Sequence, residues 1–146
     1  MSAASHWKER LATILEEFNC QTGTIHRCPP GGKELELVCQ IGVPEPVLKK
    51  INFIPFGKGI AGAAAEKREP VELCNLQEDL EGVAKPEARQ TKVSGSLAVP
   101  ILSHKEGEVI GTLGVGMHEP HDFSDEEKAL LASHASVIAR DLELGA

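Results

Sequence analysis

Two apolar runs near the C-terminal end, SGSLAVPIL (residues 94–102) and EVIGTLGVGM (residues 108–117), are joined by a short polar turn around SHKEGE. A connection this short makes a hairpin, because parallel strands need a crossover of a dozen or more residues. A second pair stands near the start. Residues 23–28 read as a strand, PPGG (29–32) breaks any regular element, and KELELVC follows, with Leu35, Leu37 and Cys39 alternating against Glu34, Glu36 and Val38. Strands that arrive as hairpins build an antiparallel sheet and leave no β-α-β unit. Glu34 and Glu36 read as outward charges on an outer hairpin, where they discourage pairing between molecules.

Helical patterns flank the hairpins. Trp7, Leu11, Ile14, Leu15 and Phe18 recur at helical spacing behind Ser5, a candidate N-cap. At the far end, Ser124 and Glu127 form an S-x-x-E capping box, and Leu130, Leu131, His134, Ile138 and Leu142 continue along one face. Between the hairpins, PEPVLKKI (44–51) reads as a proline-led short helix, AGAAAEKRE as a second one, and PVEL as a short strand. Residues 75–93 are polar and lack a clear period, so loops and a short helix are expected there. The order is helix, hairpin, mixed middle, hairpin, helix. It predicts an α+β fold in a single domain over residues 5–143, with the first and last helices on one face of a central antiparallel sheet.

Composition removes several function classes. The chain has 146 residues and 41% hydrophobic content, enough for a sizeable core. Its net charge of −7 repels phosphate backbones, and aromatics at 3% with no tyrosine leave little for base stacking, so nucleic acid is not an expected partner. The N-terminal SHWKERLATILEEF is charged and amphipathic, unlike a signal peptide, and no apolar run approaches the roughly 20 residues of a membrane span. Cys20, Cys28, Cys39 and Cys74 show no C-x-x-C pair. A soluble cytoplasmic protein with reduced thiols and no membrane partner is expected.

The segment IPFGKGIAGAAAEKREPVEL contains Gly57, Gly59 and Gly62 as G-x-G-x-x-G. A dinucleotide fingerprint needs a buried strand before it and a long helix after it. Here Pro55 precedes the glycines and the helix ends by Pro70. The segment instead resembles the central motif of GAF domains: a proline, then G-x-G-aliphatic-x-G opening a short helix, then a proline-led strand. KELELVCQIGVPEP resembles the second strand and exit of a GAF domain, SGSLAVPILSHKEGEVIGTLGVG its closing hairpin, and HDFSDEEKALLASHASVIA its last helix. The resemblance implies a stand-alone GAF-like domain with a ligand pocket on the sheet face opposite the terminal helices. It also implies a small-molecule or small-anion ligand, no cofactor, a sensory or regulatory role, and a homodimer through the terminal helices. Gly59 would let the chain turn tightly and Gly62 would let the short helix lie close to the sheet. The amides of Ile60, Ala61 and Gly62 would face the pocket, with Leu73, Leu97, Val99 and Leu113 as its apolar wall.

One stand-alone GAF family, the free methionine-(R)-sulfoxide reductases, is enzymatic and similar in length. Its chemistry needs an attacking thiolate and a resolving cysteine. A cysteine of that family falls between the second and third glycines, where this chain has Ala61. The segment before the closing hairpin offers only Cys74, and Gly114 and Gly116 stand where substrate-holding carboxylates belong. Ligand binding without catalysis is therefore expected, with no catalytic residue assigned. The alternatives are a reductase-like enzyme or its decayed relative, and a ligand-free dimerisation module. His118, Glu119, His121 and Asp122 in HEPHD read as a turn rather than a metal site, and His26 and Cys28, on one strand face, as packing against a helix rather than metal ligands. His134 is expected to be buried with Leu11 between two copies of the chain.

Overall fold

Which way each strand residue points decides what the two faces of this sheet can do. The structure, a computed structural model, describes residues 3–29, 31–73, 95–105 and 107–143. Among them the chain runs α1 (Ala3–Phe18), β1 (Thr22–Arg27), β2 (Glu34–Ile41), α2 (Glu45–Ile51), β3 (Phe53–Pro55), α3 (Gly59–Lys67), β4 (Val71–Leu73), β5 (Gly95–Leu102), β6 (Val109–Met117) and α4 (Asp125–Glu143). The strands form one six-stranded sheet in the order β3-β2-β1-β6-β5-β4, antiparallel throughout. The fold is α+β, as the hairpin pattern predicts. The loops and short helix expected over residues 75–93 lie outside the described residues.

Helices α1 and α4 share one face. Trp7, Leu11, Ile14, Leu15 and Phe18 of α1 and Leu131, Ala135, Ile138 and Ala139 of α4 are all buried. They pack with Ile25, Leu97, Val99, Leu113 and Val115 from the central strands. Gly23 belongs to this packing, since a Cβ there would lie 2.7 Å from Leu15 and 3.0 Å from Leu11. A smaller cluster of Cys28, Leu35, Ala65 and Val109, joined by Ile54, Phe56 and Ala61, lies on the opposite face under α3.

Two irregularities divide the strands between these clusters. The β1–β2 register runs Ile25↔Cys39 and then His26↔Leu37, which leaves Val38 as the extra residue of a bulge. Leu35 therefore joins the α3 cluster while Cys39 and Ile41 pack toward α1, although all three share one sequence parity. In β5–β6, Ile101↔Gly111 is followed by Leu102↔Val109, and Ile110 is the extra residue.

Three local expectations are revised. Helix α1 begins at Ala3, upstream of Ser5, so Ser5 is not its N-cap. Strand β2 is not an edge: β3 pairs along it, and Glu36 meets Arg27 at 3.0 Å. Among the described residues the edges are β3 and β4, with three residues each, which limits edge-to-edge pairing. On α4, Leu130 faces outward at 41% exposure with Val137 at 50%, because the inward stripe runs through Leu131, Ala135 and Ile138. The capping box does form, with the Ser124 amide donating to Glu127 Oε1 at 2.9 Å and the Glu127 amide donating to Ser124 Oγ at 3.1 Å.

Candidate functional site

The face away from α1 and α4 is built from small residues. β1 presents Thr24 and His26 there, β5 presents Ser96 and Ala98, and β6 presents Thr112, Gly114 and Gly116, each one step along from a large apolar residue facing the helices. Thr24, Ser96 and Gly114 are only half-buried. A Cβ at Gly114 would meet only Thr24 Oγ1 at 3.2 Å and the Leu97 carbonyl at 3.8 Å among the described residues. Among the described residues, the centre of the sheet on this side is thus a floor of mostly small side chains.

Helix α3 lies on this side, packed against β5 and β6. Its start is shaped by Gly57 and Gly59, at φ 88° and 65°, a left-handed conformation that glycine adopts without a Cβ penalty. Lys58 precedes the helix in extended conformation and its side chain makes no cap. The Gly62 amide donates to the Lys58 carbonyl at 3.0 Å, and the Gly57 amide donates to the Gly62 carbonyl at 2.8 Å. The pocket amides expected at Ile60, Ala61 and Gly62 therefore reduce to the first two, since that of Gly62 is used inside the helix. A Cβ on Gly62 would sit 2.6 Å from the Pro55 carbonyl oxygen, so this glycine seats α3 against the strand before it.

The structure does not bring the expected apolar wall to the start of α3. Leu97, Val99 and Leu113 are fully buried on the opposite face, in the cluster with α1 and α4. Their neighbours Ser96, Ala98, Thr112 and Gly114 occupy the α3 side instead. Leu73 is placed by its backbone alone, paired with Ser96. The signal that could have located the floor is GTLGVG itself. Within it Leu113 and Val115 fall on one parity and Thr112, Gly114 and Gly116 on the other, as expected for a strand that packs a core with only one face.

Two buried polar atoms on this face, His26 Nδ1 and Thr112 Oγ1, lack hydrogen-bond partners. His26 is 1% exposed and its Nε2 lies 2.9 Å from the Ile51 carbonyl at the end of α2. A carbonyl only accepts, so Nε2 carries the proton and Nδ1 is a bare acceptor. Burial pushes the His26 pKa below the usual imidazole value, which keeps the ring neutral. Nδ1 has no hydrogen-bond partner, and neither has the hydroxyl of Thr112, directly opposite in the β1–β6 register.

The described cysteines offer no ready thiolate. Burial pushes the Cys20 thiol up to about 12 and the Cys39 thiol up to about 11, and raises that of Cys28 as well. Cys28 sits in the α3 cluster, with Sγ donating to the Pro29 carbonyl at 3.2 Å. Cys74 lies outside the described residues. His121 of HEPHD stands 3.1 Å from Glu127 and edge-on to Phe123, fixing the start of α4. His134 reaches Glu17 at 3.4 Å and Phe18 edge-on, within its own chain, and Leu11 has no exposed surface to offer a second copy. No helix among the described residues is long and apolar enough to cross a membrane.

The GAF domain family model matches residues 9–143. Among solved structures, the type II free methionine-R-sulfoxide reductase from Thermoplasma acidophilum is similar at TM-score 0.74 and 21% identity, over 94% of this chain and 90% of that one. The free methionine-R-sulfoxide reductase from Neisseria meningitidis, in complex with its substrate, gives TM-score 0.75 and 19% identity over 96% and 77%. The GAF domain of a phosphoenolpyruvate-protein phosphotransferase from Coxiella burnetii gives 0.70 and 23% over 97% and 95%. At these identities the likeness is one of fold. A search of curated proteins finds no significant match.

Proposed function

Since this chain belongs to the GAF domain family, a small-molecule-binding regulatory fold, we propose that it is a cytoplasmic binding module without catalytic activity, with its ligand on the small-residue floor below α3. The carrying observation is the sidedness of β1, β5 and β6. They fill one face with Ile25, Leu97, Val99, Leu113 and Val115 and leave the other, His26 apart, mostly to glycine, alanine, serine and threonine. Interiors are otherwise close-packed, so a sheet face of small residues suits a group that the described residues do not supply. The raised thiols of Cys20, Cys28 and Cys39, Ala61 in the glycine motif, and Gly114 and Gly116 in place of carboxylates support binding over reduction.

The test is a thermal-shift screen with amino acids, nucleobases, nucleotides and carboxylic acids. A true ligand at a hundredfold excess over its Kd stabilises by about 2.7 kcal/mol, roughly 8 °C in Tm for a chain of this size. Gly114→Val should fold and lose that shift, because its methyls stand on the floor. A ligand whose shift survives in Gly114→Val binds elsewhere and removes the floor from the proposal.

The assembly reading is a homodimer through α1 and α4, supported by Leu130 and Val137, two exposed apolar residues that share a helix face. Light scattering should give twice 15.6 kDa for the wild type and 15.6 kDa for a Leu130→Glu, Val137→Glu variant. A monomeric wild type at micromolar concentration rejects the dimer.

A further inference from the structure

From the geometry we infer that His26 Nδ1 and Thr112 Oγ1 together anchor the ligand of this floor by an uncharged amide edge, an N–H beside a C=O, as in a lactam or a pyrimidine base. The inference rests on the floor being the ligand seat. The residues are opposite one another on adjacent strands, which places their Cβ atoms about 5 Å apart. Both are 1% exposed, and neither Nδ1 nor Oγ1 has a partner. A buried polar group left unpaired costs stability, so natural structures rarely keep two side by side.

The bond to the Ile51 carbonyl fixes the tautomer and turns the bare nitrogen of the ring away from α2. Nδ1 then requires a donor. The Thr112 hydroxyl, which can rotate, is free to donate to an acceptor beside it. The complement of this pair is an N–H and a C=O side by side. With His26 neutral, none of the floor residues carries a formal charge, and a charged group buried there would find no counter-ion among the described floor residues. The next residues on the same face of each strand, Thr24 and Gly114, are half-buried, and the ligand would extend from the pair over them.

Uracil and 1,3-dimethyluracil are the probes, since methylation removes the N–H and leaves the ring. Uracil at millimolar concentration should move the ¹⁵N resonance of His26 Nδ1 in the wild type, and dimethyluracil should not. Thr112→Val should weaken uracil binding about tenfold, the loss of one partner in a buried hydrogen-bonded pair, without lowering the urea midpoint of the free protein. Thr112→Ser should restore binding. No uracil effect on the wild type overturns the anchor, whether or not another compound binds the floor. A compound that binds the floor, is blocked by Gly114→Val and leaves the Nδ1 resonance unmoved also overturns it, while the floor itself stands. If Thr112→Val unfolds more readily than the wild type, the hydroxyl is a structural group and the anchor fails.

Discussion

Leu113→Ala should lower the unfolding free energy by about 3 to 4 kcal/mol, whereas Gly114→Ala, the very next position, should change it by less than about 1 kcal/mol. Leu113 is fully buried among α1, α4 and the central strands, so truncation loses apolar burial and leaves a cavity that the helices cannot fill. A methyl at Gly114 points the other way. It meets one hydroxyl at 3.2 Å, which can rotate aside, and its backbone has no need of glycine's conformations. Urea denaturation of the two variants gives the comparison directly. Equal losses would mean that both faces of β6 are packed, and the floor would not exist.

Gly62→Ala is expected to cost roughly 2 kcal/mol and to disturb the ligand side of the molecule as well. The added Cβ lies 2.6 Å from the Pro55 carbonyl and 3.2 Å from the Gly57 amide. Both are backbone atoms, so no side-chain rotation relieves the clash. The start of α3 must move away, which strains the Gly57-to-Gly62 hydrogen bond. Gly59→Ala is the informative control. No described atom lies within 4 Å of a Cβ there and its φ is 65°, so its cost should be the left-handed backbone strain, roughly 1 to 2 kcal/mol. Denaturation midpoints and amide exchange at residues 57–62 check both. A Gly62→Ala variant as stable as the wild type would refute the close approach.

Much of this architecture was legible because local chemistry and global fold agree. The two hairpins, the proline-led α2, the glycine-led α3 and the capping box at Ser124 each state their element locally. What a strand faces was less legible. Leu97, Val99 and Leu113 are apolar whichever face they serve, so apolarity could not say whether they line a pocket or a helix-packed core. The bulges at Val38 and Ile110 shift parity in the middle of a strand, and no residue type announces them. His26 and Thr112 were hidden for a different reason. A histidine and a threonine in a strand are ordinary, and only burial without a partner makes them unusual.

The sheet that separates α1 and α4 from the floor is a diaphragm one backbone thick. Leu113 and Gly114 hang from the same peptide plane, one into the helical layer and one over the floor. A tilt of that plane cannot be confined to one side. Anything that levers β6 upward at Gly114 must draw Leu113 with it, and Leu113 is gripped by helices whose outer surface carries Leu130 and Val137. The shortest route from the floor to the outer helical surface is therefore the thickness of a strand and a helix, with no loop or hinge along it.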